Sequence, residues 1–263
     1  MNQHRILHED SDIIVCHKPA GIATQTARVG QADMVSEITN YLASKEGGGA
    51  GKSPPVSVVH RLDQPVEGIL VFAKNKYAAA DLSRQAAGKE MKKEYLALVC
   101  GKAITRTGEL TNYLLKDGRT NVSRVVPPEV KGAKQARLSY EILQDALPEA
   151  LFSVRGDAWG VSGEGSTEDG LFESGLRCAL VRVCLYTGRH HQIRVQMANA
   201  GMPLLGDQKY ADRASLALSK KLGIRETALC AYRLAFTHPK TGKRMQFEVE
   251  PEGAVFHRIK TSV

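Results

Sequence analysis

The sequence predicts an α+β chain, a mixed and largely antiparallel sheet with flanking helices. Short apolar runs of strand length recur from residues 13–17 to residues 244–249. Helical spacing is confined to a few segments, and the later runs follow one another without helices long enough for regular parallel crossovers.

Residues 13–17 read as a strand that runs into a turn at Lys18-Pro19-Ala20-Gly21. Asp33 is placed to cap a helix through Lys45, with Val35, Ile38 and Leu42 on one face. The glycine-rich stretch 47–51 then leads into Lys52-Ser53-Pro54-Pro55. It reads as a surface loop, because the two prolines oppose the helix that a nucleotide-binding P-loop requires. Residues 68–74 form the next apolar run, and Asn75 caps an alanine-rich helix to Gly88. Further strands are predicted over 93–99, 136–143, 179–185 and 244–249. Residues 189–200 open another helix, since Ile193, Met197 and Ala200 share a face and Gly201 is a natural stop.

Composition narrows the class of partner. Apolar residues make up 43% of the 263 and charged residues 24%, the balance of a globular protein. The net charge is +8, and the segment 145–176 holds seven acidic residues against one basic, so the remainder carries +14. A basic surface of that size favours an anionic partner such as nucleic acid. No apolar run reaches the ~18 residues of a membrane span, and the first ten residues lack the apolar core of a secretory signal. A cytoplasmic, monomeric protein with no membrane association is expected. The five cysteines are scattered without a Cys-x-x-Cys pair, which fits buried reduced thiols.

Three polar clusters interrupt the apolar segments: His60-Arg61-Leu62-Asp63, Lys92-Lys93-Glu94-Tyr95 and residues 187–194. Each lies beside a predicted strand, where a loop is anchored firmly enough to hold reacting atoms. Singly, each has a plainer reading. Asp63-Gln64-Pro65 is a turn, Tyr95 a half-buried strand residue and Arg194 a surface arginine. His190 and His191 do not suit zinc, because neighbouring helix residues point about 100° apart and no partner stands at helical spacing. A Gly-x-Ser-x-Gly elbow and cofactor fingerprints are also missing from the sequence.

Together and in this order, the clusters resemble the RluA family of RNA pseudouridine synthases. Its His-Arg-Leu-Asp segment, followed by Gly-Leu-Leu-Leu-Phe-Ala-Lys, is similar to His60 to Asp63 with residues 68–74. Its Lys-x-Tyr-x-Ala-Leu-Val-x-Gly segment resembles residues 93–101. The family's Thr-Gly-Arg-Thr-His-Gln-Ile-Arg-Val-His resembles residues 187–196, and its Gly-x-Pro-x-x-Gly-Asp-x-x-Tyr resembles residues 201–210. The departures are Val66-Glu67 in place of Thr-Ser, His190 in place of Thr and Gln196 in place of the last His. An N-terminal S4-like domain of some relatives is expected to be absent, as the similarity begins by about residue 6.

The resemblance implies the pseudouridine synthase fold, one catalytic domain over 1–263 with a central RNA-binding cleft and an acidic loop insertion at 145–176. It implies isomerisation of uridines in ribosomal or transfer RNA, without cofactor or metal. Asp63 is the implied nucleophile, Arg194 its charge partner, and Tyr95 a stacking wall and candidate proton acceptor. His60 and Arg61 are candidates to fill the gap left by a flipped nucleotide or to hold its phosphate, and Arg189, His191 and Gln192 to bind RNA. Two other classes were weighed: an RNA-binding protein or chaperone without catalysis, which needs no carboxylate in a basic cleft, and a nucleoside hydrolase, which needs an activated water.

Overall fold

A computed structural model describes residues 5–28, 30–45, 55–88, 90–101, 105–146 and 176–260. In chain order the elements are β1 (Ile6–Glu9), β2 (Ile13–Lys18), α1 (Met34–Lys45), β3 (Ser57–Val58), β4 (Glu67–Ala73), α2 (Lys76–Gly88), β5 (Lys92–Gly101) and β6 (Thr107–Asp117). They continue as β7 (Val122–Val126), β8 (Lys134–Ala146), β9 (Arg177–Leu185), α3 (Gln192–Asn199), α4 (Arg213–Lys221), β10 (Leu229–Thr237), β11 (Arg244–Glu248) and α5 (Ala254–Lys260). The expected mixed, largely antiparallel sheet with flanking helices is what forms. The glycine-rich stretch 47–51 and nearly all of the acidic segment 145–176 lie outside the described residues.

By its contacts the chain divides into two compact units. The first comprises Met1–Tyr95, Cys184–Tyr186 and Cys230–Glu252. Its strands lie in the order β1-β2-β4-β10, with β3 on β4 and β11 on β10. β4 runs antiparallel to β2 and parallel to β10, and all seven of its residues are buried. Alternation along the strands sends Ile13 and Val15, Ile69, Val71 and Ala73, and Leu234 and Phe236 into one core, which Ala78 and Leu82 of α2 cover. Both helices start where the sequence places them. Asp33 Oδ1 accepts from Ser36 N at 2.8 Å, and Asn75 Oδ1 accepts from Ala78 N at 2.8 Å.

The second unit comprises Leu96–Val183, Thr187–Leu229 and Gly253–Val263, with strand order β5-β9-β8-β6-β7. β6 pairs antiparallel with both β7 and β8. α3 begins at Gln192 rather than at residue 189, because His191 takes a left-handed backbone conformation (φ 53°) that no right-handed helix contains. Residues 192–197 are buried all round, and Val195 packs with Leu114 of β6 and Ala136 of β8.

Gly68 is the tightest backbone approach in the first unit. It sits at φ +129°, and a Cβ there would lie 2.5 Å from Ala231 N and O of β10. Gly68→Ala therefore has to strain its own backbone and push two paired strands apart, at an expected cost of about 3 kcal/mol. Urea unfolding checks this, and a loss under about 1 kcal/mol would contradict the close approach.

Candidate active site

The turn that carries Asp63 is fixed from two sides. Val66 N donates to Asp63 O at 3.0 Å, closing the turn the sequence suggests at Asp63-Gln64-Pro65. The turn 18–21 then grips it. Gly21 N donates to Gln64 O at 2.9 Å, and Gln64 Nε2 returns a bond to Gly21 O at 3.0 Å. Thr24 Oγ1 both accepts from Leu62 N and donates to Leu62 O, at 3.1 and 2.9 Å. Beneath these lies Lys18, fully buried, whose ammonium donates to the carbonyls of Pro19 (2.9 Å), Ile22 (2.7 Å) and Gln64 (3.2 Å). A buried ammonium is stable only when its donors are satisfied. This one welds the two turns together.

Asp63 itself is half-buried. Tyr95, near the start of β5, is 6% exposed. Burial pushes its phenol well above the ordinary tyrosine range, and the negative charge of Asp63 and of Cys230 if ionised adds to the effect. The carboxylate and the ring are thus electrostatic neighbours in the first unit. The shift holds the Tyr95 phenol neutral, since ionising it would place an anion in an apolar site beside another.

Arg61 is exposed, and His60 is partly buried beside β4. Burial, with the nearby Lys93 charge second, lowers its pKa to about 3, and its Nε2 accepts from Val71 N at 3.3 Å. A neutral ring bonded to a strand amide brings no charge to an RNA backbone. It anchors the approach to Asp63 instead.

In the second unit, the segment 187–196 is held by its own polar groups. Gln192 Oε1 accepts from Thr187 Oγ1 (2.8 Å) and from Arg189 N (3.0 Å), while its Nε2 donates to Arg137 O (3.1 Å). With 3% of its surface exposed, Gln192 is committed to holding the loop together. His191 is buried too, stacked on His190 with ring centroids 3.7 Å apart, and its Nδ1 lies 2.6 Å from Tyr210 Oη. Arg189 stays exposed, tethered through Nε to Gln135 O at 2.8 Å.

Arg194 is 4% exposed and makes a two-pronged ion pair with the fully buried Asp207, Nε to Oδ2 and Nη2 to Oδ1 both at 2.7 Å. Asp207 also accepts from Lys209 N at 2.9 Å and Tyr210 N at 3.3 Å, and the Tyr210 ring lies 5.1 Å from the guanidinium carbon. Such a pair fixes the guanidinium plane, and deleting one partner costs about 3–5 kcal/mol. Sequence reasoning quoted residues 201–210 as a motif but gave Asp207 and Tyr210 no task. Nor did it find Lys18, although Lys-Pro-x-Gly was in view.

A sequence model described as RNA pseudouridylate synthase matches residues 12–199. An uncharacterized RNA pseudouridine synthase, YhcT, of Bacillus subtilis is 30% identical over 236 residues, covering 90% of this chain and 65% of that protein. Ribosomal large subunit pseudouridine synthase C of Haemophilus influenzae is 29% identical, covering 93% and 64%. The chain thus spans a little under two thirds of the length of these relatives. It spans 98% of the dual-specificity RNA pseudouridine synthase RluA of Yersinia pestis, at 28% identity over 94% of this chain. Among solved structures, human RNA pseudouridylate synthase domain containing 4 superposes with a TM-score of 0.68 at 21% identity, covering 98% of this chain and 93% of that one, which shows a shared fold. With the family model matching well over half of its length, the chain belongs to the RNA pseudouridylate synthase family.

Proposed function

We propose that the protein is an RNA pseudouridine synthase that converts specific uridines of ribosomal or transfer RNA to pseudouridine, with Asp63 as nucleophile. One observation supports this above the others: the Asp63 turn is immobilised by a buried lysine and two interlocked turns, with the Tyr95 ring as its electrostatic neighbour. A turn aspartate with no task needs neither. The RNA class follows the names of the relatives, which include ribosomal large subunit synthases and a dual-specificity enzyme.

The reaction is an isomerisation. The N1–C1′ bond breaks, the uracil turns while held, C5 bonds to C1′, and the C5 proton leaves as N1 gains one. A carboxylate that attacks C1′ or the uracil ring and later departs carries this without a cofactor. The target nucleotide has to leave its stack, at a cost of about a few kcal/mol. Tyr95 supplies a rigid face for the freed uracil. Arg194, which the sequence resemblance makes a catalytic residue, is held charged and oriented by its pair with Asp207. Arg61 and Arg189, both exposed, are the candidates for backbone phosphates.

Asp63→Ala tests the nucleophile. Pseudouridine mapped across total RNA from cells lacking the gene should reappear at the lost sites with the wild-type chain and fail to reappear with the variant. In vitro, turnover should drop by about a thousandfold or more with the circular dichroism spectrum unchanged. Restoration of the sites by Asp63→Ala would remove the carboxylate from the mechanism.

Tyr95 separates wall from base. Because its phenol is held neutral, Tyr95→Phe should keep most of the turnover. Tyr95→Leu, which loses the ring, should fall below Tyr95→Phe by roughly tenfold, the scale of about 1–3 kcal/mol per stacked base. Single-turnover kinetics on a target RNA read both, and equal losses in the two variants would restore the phenol to proton transfer.

A further inference from the structure

The inward row of the first unit changes chemistry at one end. β2 carries Ile13, Val15 and His17 on the core face, β4 carries Glu67, Ile69, Val71 and Ala73, and β10 carries Cys230 ahead of Leu234 and Phe236. Cys230 lies directly across from Glu67 in the parallel pair, and His17 across from Ile69 in the antiparallel one. Three adjacent strands therefore end their apolar rows in an imidazole, a carboxylate and a thiol. All three are buried, at 5%, 4% and 0% exposure. Nε2 of His17, a carboxylate oxygen of Glu67 and Sγ of Cys230 lie within 4.8 Å of one another.

Among the described residues His17 Nε2 has no hydrogen-bond partner, although it is buried. Its nearest charged neighbour is Glu67 Oε2 at 3.8 Å, beyond hydrogen-bond reach. The other ring nitrogen is committed: Nδ1 lies 3.0 Å from Glu252 Oε1, and Glu252 in turn is fixed by its own amide, which donates to Glu67 Oε2 at 3.0 Å. A carboxylate on one imidazole nitrogen sets the proton there and turns the lone pair of the other toward the cluster. That is how metal-bound histidines are commonly oriented.

We propose that His17, Glu67 and Cys230 form a zinc site, with Glu252 orienting the histidine. Nitrogen, oxygen and sulfur together suit Zn²⁺, at bond lengths of about 2.0–2.3 Å that put tetrahedral ligands roughly 3.5 Å apart, close to the spacing of His17 and Glu67. Binding exchanges the Cys230 thiol proton for the ion, so thiolate, carboxylate and divalent cation sum to neutrality inside the core. Three protein ligands leave a fourth position for water. The site would pin β2, β4 and β10 together four residues beyond Asp63. Glu67, one of the departures from the family segment, supplies a ligand that a serine there would not. The proposal does not depend on the pseudouridine synthase reading, and its test does not measure catalysis.

The competing arrangement is an imidazolium held between Glu67 and Glu252 with no metal. Cobalt distinguishes the two, because a Co²⁺–thiolate bond gives a near-ultraviolet charge-transfer band that nitrogen and oxygen ligands do not. The full chain, purified without a histidine tag and stripped with chelator, is titrated with Co²⁺ and then Zn²⁺. The expected result is one equivalent bound, a thiolate band that saturates and is displaced by zinc, and its loss in Cys230→Ala and Glu67→Gln. X-ray absorption on the zinc-loaded wild type should show one sulfur among lighter ligands, which decides the matter even if a variant fails to fold. A wild-type chain that binds no cobalt, or binds it without the thiolate band, overturns the site, as does a band that persists in folded Cys230→Ala.

Discussion

β4 has no face toward water, and the geometry of the first unit follows from that. With Glu67 to Ala73 all buried, both faces of the strand are apolar for most of its length. A one-residue slip would then exchange one apolar row for another, so hydrophobic patterning by itself leaves the register weakly specified. The register is marked at the strand's start, by a glycine and a carboxylate that each suit one position. Gly68 admits no side chain against Ala231, and Glu67 must face Cys230 and His17, because its carboxylate would have no such polar company one position along. The strand is anchored at the end that receives the Asp63 turn. Lys18, at the end of β2, extends the anchoring by donating to Gln64 O.

The second unit solves a similar problem with an ion pair. α3 is buried all round, so its polar residues need partners inside the protein. Arg194 has Asp207, and Gln192 has the backbone and hydroxyls of its own loop. Gln196 Nε2 lies within hydrogen-bond distance of Leu110 O, Asn112 Oδ1 and Ala136 O, which ties the helix to β6 and β8. Gln196 stands where the family segment has histidine, and it answers to this scaffold. His190, the other departure in the segment, likewise bonds inward, its Nδ1 2.8 Å from Ser123 Oγ.

Local signals made much of this readable in the sequence. Asp33 and Asn75 are caps whose work is done within three residues, and β4 is a continuous apolar run. β6 and β7 escaped because they are half-exposed strands whose apolar residues, Tyr113 to Leu115 in β6 and the valines of β7, do not alternate regularly with polar ones. β10 escaped for the opposite reason: Leu-Cys-Ala-Tyr-Arg-Leu-Ala-Phe has no clear period, and a short apolar run of that kind is ambiguous between helix and strand. In the site, residue identity was legible and partnership was not. Asp207 lies thirteen residues from Arg194 and Gln64 forty-six from Lys18, separations that only the folded chain closes. The bonds that Gln192 and His60 make to backbone groups were equally hidden, because a polar residue in such a segment looks the same in sequence whatever it faces.

Tyr95 shows how one environment constrains a mechanism. An apolar surround and a neighbouring carboxylate both disfavour the phenolate, so the Tyr95 ring beside Asp63 is held neutral. A carboxylate that must stay ionised and a phenol that must stay neutral are compatible demands on one apolar site. A carboxylate and a phenolate together would crowd two anions into it, so the neutral phenol is the state this environment favours.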